Sequence, residues 1–513
     1  MPTGQTAHQP LAAGDETSQK THTVHKIGGT SMSDVDTVLN NILIGNRTGD
    51  DLYDRIFVVS AYGGITDMLL ENKKTGEPGV YALYAGSEND WAWGDALTRV
   101  LDHMLKINAD AFADEADRKL ADRFVQERVE GVRNCLIDLQ RICGYGHFKL
   151  EEHLMTVREM ISGIGEAHSA HNTMLLLRRR GVEAEFVDLS GWRESESMSL
   201  EDRIREGFVD IDVTKVLPIV TGYTQAGDGL MGIFGRGYSE VTFSAVACVT
   251  GAREAVIHKE FHLSSADPKI VGIDKVQPIG RTNYDVADQL SNMGMEAIHP
   301  RAAKGLRQQG IPLRIVNTFE PDHPGTVIDE DWTPENPRIE IVTGLENAIE
   351  VEVFDQDMVG IPGAGEDAVA AFRRFKLPLV SWSLNANTMT FYVEAPLKQV
   401  RRVIEVIQKR QPEADIQTRK VDIVSAIGAN MRDKDIIREA VAAIGESDLD
   451  LLATHASGRG VDIQFIFADE SYDNAVKVLH TALIENRDAN GEPVLPPAVD
   501  EQTAALKQGK FAA

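Results

Sequence analysis

Cysteine is scarce in this 513-residue chain, which has three: Cys135, Cys143 and Cys248. Their spacing suits neither a zinc site nor a disulfide framework, so a reducing cytoplasmic setting is expected and no metal ligands are assigned. Positive charge is also in deficit. Lys plus Arg total 52 against 79 Asp plus Glu, a net charge of −27. A surface this acidic repels nucleic acid and anionic membranes, so neither is expected as a partner. It suits a salty cytoplasm, where screening moderates self-repulsion, although composition alone does not separate that from ordinary acidic solubility. Long apolar runs are missing as well. None reaches 18 residues, so no membrane span is predicted. Residues 1–21 are polar, lack the apolar core of a signal peptide and read as a disordered tail. With 42% hydrophobic residues the chain can build a sizeable core, and its length allows two to four domains.

What is present is an alternation of strands and helices from Val24 to about Ile328, which argues an α/β domain. The strand candidates are Thr23–Ile27, Arg55–Ser60, Glu185–Asp188, Leu217–Thr221, Glu254–His258 and Leu313–Asn317. Residues 95–180 read as largely helical. A polar stretch before them, NKKTGEPG from Asn72 to Gly79, is either a mobile lid or a surface connection. The acidic, Pro-containing DWTPENP, Asp331–Pro337, reads as a linker. Two βαββαβ units follow, the first opening with a strand at Ala348–Phe354 and the second with one at Val421–Ile427. The expected division is 22–330 for the α/β domain, 331–339 for the linker, 340–415 and 416–487 for the two modules, and 488–513 for a loosely ordered tail.

Ligands in parallel sheets gather outside the carboxyl ends of the strands, and most polar motifs fall there. The first is VHKIGGTSM, Val24–Met32. Lys26 supplies a full positive charge, and Gly28 and Gly29 let backbone N–H groups approach an anion. The lysine precedes the glycines, so this phosphate cradle is not the Walker A pattern. The second is SAYGGIT, where Ser60 and Thr66 offer hydroxyls to a carboxylate or phosphate around a Gly-Gly turn; hairpin punctuation is the alternative. The third is SGIGEAHS, read as the opening of a helix from Ser169 to Arg180. Glu166 there is either a cap or a carboxylate that receives a substrate ammonium. The fourth is GRGYSEVT, after an apolar strand-like stretch at Met231–Phe234. Arg236 between glycines has room to present a bidentate fork to a carboxylate, with Ser239 and Glu240 at the next helix start. The fifth is SSADPK, Ser264–Lys269, a turn that either sits under a nucleotide or is only a turn. His258 and His262 lie outside any helix, which argues against a metal pair, and His299 before Pro300 reads as structural.

In this order, and with AIHP at Ala297–Pro300, the segments resemble an aspartate kinase of the amino-acid kinase family over about residues 22–330. The tandem modules resemble that family's two ACT regulatory domains. The resemblance implies a carbamate-kinase-like three-layer α/β sandwich followed by two ferredoxin-like modules. It also implies ATP-dependent phosphorylation of the β-carboxylate of L-aspartate, with Mg2+ bridging the ATP phosphates. Lys26, Gly28 and Gly29 match the catalytic phosphoryl-binding positions. Thr66 and Arg236 match residues that hold the aspartate carboxylates, with Ser60 and Ser239 beside them, and Glu166 matches the partner of the amino group. Glu240 stands where the family usually has aspartate. Lys259, Asp267 and Lys269 fall in the nucleotide-binding region. An amino-acid effector at the ACT pair and a homodimer or larger homo-oligomer are further expectations.

The sequence departs from the family pattern at three places. Gly237-Tyr238-Ser239-Glu240 replaces Gly-Gly-Ser-Asp, Lys259-Glu260 replaces a Thr-Asp pair, and Glu296 stands for a lysine. These changes bear on the nucleotide pocket and leave the phosphate cradle intact. The KIGGTSM start and the NKKTGEPGVYAL insertion are similar to the aspartate kinases linked to ectoine synthesis. Two other readings stay open: a kinase of another amino acid, and a catalytically weakened effector-binding protein.

Overall fold

Short apolar runs closed by Gly, Ser or Asp do form the strands of the computed structural model, which describes residues 21–86, 90–194, 196–227, 229–295, 297–360, 363 and 365–485. Glu296 and both expected tails lie outside the described residues, except for residue 21. The chain divides into two compact units, one ending at Val256 and the other starting at Ile257. The expected α/β domain, 22–330, therefore spans this division.

In the first unit β1 (Thr23–Ile27), β2 (Arg55–Val59), β3 (Ala184–Val187) and β4 (Leu217–Thr221) make a parallel sheet in the order β3-β4-β2-β1. All five residues of β2 and of β4 are buried, so both faces of the sheet are covered. The helices of this unit include α1 (Ile65–Leu69), α2 (Asp90–Ala111), α3 (Glu115–Cys143), α4 (Leu154–Arg179), α5 (Leu230–Phe234) and α6 (Tyr238–Thr250). Helix α4 packs on β2, β3 and β4, and α6 on β1 and β2. Val125, Val129, Val132 and Leu136 of α3 recur at helical spacing and enter the core shared with Phe57 and Val59. Pairing sets Ile27 beside Val59 and Val59 beside Thr221. Three strands thus end level, and Gly28, Ser60 and Gly222 leave from one edge.

Three local expectations change. SGIGEAHS does not open a helix; it lies in the middle of α4. Glycine there allows contact: a Cβ on Gly165 would stand 2.7 Å from the Ala61 Cβ, so the helix approaches the β2 turn only without a side chain. Met231–Phe234 is helix α5, not strand. NKKTGEPG is a closed turn: Glu71 bridges Pro78, and the Asn72 side chain accepts from the Lys74 and Thr75 amides at 2.9 Å.

Strand β5 (Glu254–Lys259) runs across the division. The second unit then carries β6 (Arg281–Asn283), helix α7 (Tyr284–Asn292), β7 (Leu313–Asn317) and β8 (Thr326–Asp329), with β8 parallel to β6 and antiparallel to β7. A six-stranded sheet follows, built from β9 (Ile341–Phe354), β10 (Leu379–Asn385), β11 (Thr388–Val393), β12 (Asp415–Ile427), β13 (Leu451–Ala456) and β14 (Asp462–Ala468) in the order β10-β11-β9-β12-β14-β13. Its helices are α8 (Glu366–Arg374), α9 (Leu397–Arg410), α10 (Lys434–Gly445) and α11 (Tyr472–His480).

The strands expected at Ala348–Phe354 and Val421–Ile427 are the second halves of β9 and β12. These long strands pair antiparallel from Ile341↔Ile427 to Phe354↔Asp415. Each therefore serves both modules, and the start of β9 is the fourth strand of the second. The expected linker is tied down: the Trp332 carbonyl accepts from Asn283 at 2.9 Å, and Arg338 bridges to Asn430.

Candidate active site

The level carboxyl ends of β1, β2 and β4 gather most of the expected site residues. Lys26 is the penultimate residue of β1, and its side chain is only 12% exposed. Its Nζ lies 3.6 Å from Glu240 Oε1 on α6. Gly28 is extended and starts a single helical turn, Gly29–Met32. A Cβ on Gly29 would stand 2.7 Å from the Ala61 carbonyl oxygen, so this turn meets the β2 turn only as glycine. Ser60 follows β2. Its hydroxyl is 3.5 Å from that of Ser239, and its carbonyl accepts from Ser169 on α4 at 2.8 Å. Lys26, Ser60, Ser239 and Glu240 are thus joined by contacts among β1, the β2 turn and α6.

Glu166 projects from α4 and is 2% exposed. Tyr238, the first residue of α6, donates its hydroxyl to Glu166 Oε1 at 2.5 Å. Thr66 on α1 hydrogen-bonds the Tyr238 hydroxyl in turn. Oε2 of Glu166 is buried and accepts no hydrogen bond. Burial pushes the carboxyl up to about 7; the Tyr238 hydrogen bond, neighbouring backbone amides and the Lys26 charge pull the other way. Burial and the adjacent Glu166 likewise hold the Tyr238 phenol well above its usual range, so it stays a donor.

Arg236, expected to present its fork to a substrate carboxylate, is engaged by groups of its own chain. Its guanidinium pairs with the Asp67 carboxylate and donates to the Glu71 carbonyl. Glu71 also pairs with Arg158 at 2.6 Å. The remaining candidates, Lys259, Asp267 and Lys269, belong to the second unit. Asp267 caps the short helix Pro268–Val271, accepting from the Lys269 amide at 2.8 Å. His299 caps the helix Pro300–Gln308 through Nδ1, in keeping with a structural role.

Sequence reasoning missed Tyr238, Asp67, Glu71 and Glu159. Glu159 stands two helical turns before Glu166, on the same face of α4. It accepts from the Tyr223 hydroxyl at 2.6 Å and from the Leu230 and Gly232 amides at 3.2 and 3.0 Å. It therefore fixes the start of α5 and with it the segment leading to Arg236. The seven-residue spacing of two acids in one helix was the available signal. A cavity of about 440 Å³ beside the cradle is lined by Ser33, Asp34, Tyr62, Gly63 and His103.

Among the described residues no group of three or more His, Cys, Asp or Glu could hold a metal ion, and no helix is long and apolar enough to cross a membrane. The arrangement offers one ammonium, one desolvated carboxylate with an open oxygen, and hydroxyls between them. That set suits an amino acid with an anionic group to be charge-neutralised.

Residues 21–317 match the amino acid kinase family. The chain is 50% identical over 464 residues to the aspartate kinase Ask_Ect of Stutzerimonas stutzeri, which covers 90% of this chain and 98% of that one. It is similar in structure to E. coli aspartokinase III in complex with aspartate and ADP, with a TM-score of 0.66 at 16% identity, over 90% of this chain and 99% of that one. It is likewise similar to Clostridium acetobutylicum aspartate kinase, with a TM-score of 0.67 at 19% identity, over 90% and 100%. At those identities the structural likeness speaks for the fold alone.

Proposed function

The chain belongs to the amino acid kinase family, and on that premise we propose that it is an aspartate kinase, transferring the γ-phosphoryl group of ATP to the β-carboxylate of L-aspartate. The observation that carries the residue assignment is Glu166. It is a buried carboxylate with one oxygen taken by Tyr238 and the other open, on the same sheet edge as Lys26. An open, desolvated carboxylate oxygen is the natural seat for a substrate ammonium.

The acceptor carboxylate is already a nucleophile. One of its oxygens forms a bond to the γ-phosphorus, the bond from phosphorus to the ADP oxygen breaks, and the electron pair leaves with ADP. No proton must be removed first, so catalysis is positioning plus charge neutralisation. Lys26 stabilises the transferring phosphoryl group, with the Gly28 and Gly29 amides beside it, and Glu240 holds the lysine in place. The substrate α-carboxylate displaces Asp67 from Arg236, while Thr66, Ser60 and Ser239 lie along its path. Lys259, Asp267 and Lys269 serve the nucleotide. Mg2+, if it accompanies the nucleotide, would supply charge neutralisation to the phosphates. The described residues offer it no cage, so none is assigned to it and no step is routed through it.

The ACT-type modules are proposed to bind an amino-acid effector and the chain to act in the cytoplasm as a homodimer or larger assembly. The product enters aspartate-family or ectoine synthesis. Trapping the acyl phosphate with hydroxylamine tests the reaction. A coloured hydroxamate is expected with ATP and aspartate and none with glutamate. Hydroxamate from glutamate alone would assign another kinase, and none from either would assign an effector-binding protein.

A further inference from the structure

We propose that Tyr238 is a positioning residue for the substrate ammonium, occupying one oxygen of Glu166 so that the other alone is left to receive it. This rests on the reading of Glu166 given above. Tyr238 lies in GRGYSE, one of the places where the chain departs from the Gly-Gly-Ser-Asp that the resemblance leads one to expect.

The geometry is specific. Tyr238 is 3% exposed and its hydroxyl reaches Oε1 at 2.5 Å. The hydroxyl is itself engaged by Thr66, so α1, α6 and α4 are linked in one chain of hydrogen bonds. The ring is locked edge-on against Tyr223, with centroids 5.5 Å apart at 78°, and the Tyr223 hydroxyl is held by Glu159. Gly222 packs against the Glu166 side chain, where a Cβ would stand 3.2 Å from the Cγ. Glu166 therefore has the Tyr238 hydroxyl on one oxygen and no hydrogen-bond partner on its other, buried oxygen. A primary ammonium completes that set.

The hydrogen bond also sets how much carboxylate is available. The groups facing Glu166 are Tyr238 from α6, Lys26 from β1, Tyr223 after β4 and the Ala61 amide after β2; Glu240 faces Lys26, and Thr66 acts through Tyr238. Hydrogen bonding to the charged form favours ionisation against burial. Removing the hydroxyl makes Glu166 harder to ionise near neutral pH, and a neutral carboxyl does not hold an ammonium.

The test is Tyr238→Phe in the full chain, which keeps the ring. The acid limb of kcat/KM for aspartate should move up by about one pH unit, and KM at pH 7 should rise about fivefold. KM should recover towards the parent value at pH 9, with kcat at saturating aspartate changing less than threefold. A packing role would depress activity equally at every pH, and that result, or an unmoved acid limb, overturns the proposal. Glu166→Gln is run beside it. If it raises the aspartate KM while Tyr238→Phe leaves the limb fixed, only the Tyr238 proposal fails. If Glu166→Gln leaves the aspartate KM unchanged, the reading of Glu166 itself fails. ATP binding by calorimetry, expected unchanged in both variants, confirms that each is folded.

Discussion

Two buried carboxylates, one in each unit, solve the same problem in opposite ways. Asp422 on β12 is fully buried, and its oxygens accept three backbone N–H groups: from Asn347 at 3.0 Å, Ser471 at 2.8 Å and Tyr472 at 2.9 Å. Two of those donors stand at the start of α11, where a helix dipole favours negative charge. Glu166 is almost as buried, yet one of its oxygens accepts nothing. Asp422 is satisfied by its own chain and joins a strand to a helix. Glu166 is left incomplete in a site that a ligand can finish. On the proposed assignment, the difference separates a buried carboxylate that builds the fold from one that a substrate completes.

The largest expected effect falls on the catalytic side. Lys26→Ala should cut kcat by at least about 100-fold while shifting the aspartate KM only a few-fold, because the lysine charge is needed most in the transition state. A coupled ADP assay reads both numbers, and unchanged turnover would remove Lys26 from the mechanism. Next is the structural side. Asp422→Ala leaves three backbone donors unpaired, and should destabilise the second unit by about 3 kcal/mol in urea denaturation.

Glu166→Gln sharpens the contrast by running the other way. The Glu166 pKa is about 7 in the fold against an ordinary 4.5, so the folded state holds its proton longer than the unfolded chain. Stability is therefore lost as pH rises from about 4.5 to 7, reaching roughly 3 kcal/mol above that window. The glutamine variant should melt higher than the parent at pH 8, and the gain should vanish by pH 4. A pH-independent difference would contradict this. A smaller effect is expected for Arg236→Lys, which loses the planar fork and should weaken aspartate about tenfold by steady-state KM.

Much of this was legible in the sequence. Thr23–Ile27, Leu217–Thr221 and Leu313–Asn317 are strands over the expected residues, because β-branched runs ended by polar or glycine residues leave few other options. Lys26, Ser60, Ser239 and Glu240 were chosen from local motifs and do converge on one edge. What escaped depended on tertiary contact. Gly163 and Gly165 read as helix-opening punctuation, yet they sit inside α4 where it must approach Tyr223 and Ala61. The first half of β12, DIQTRK, is mostly exposed and half charged, so nothing in its pattern announced a strand shared by two modules. Tyr238 and Asp67 act on partners far along the chain, which no local spacing reveals.

The most direct measurement compares aspartate with succinate, which has the same two carboxylates and no ammonium, by calorimetry on the parent and on Glu166→Gln. The parent should prefer aspartate by about 100-fold, in keeping with a charge-assisted contact to a desolvated carboxylate. The variant should lose that preference while still binding ATP. A preference for aspartate that survives in Glu166→Gln would contradict the assignment of the open Glu166 oxygen as the ammonium seat.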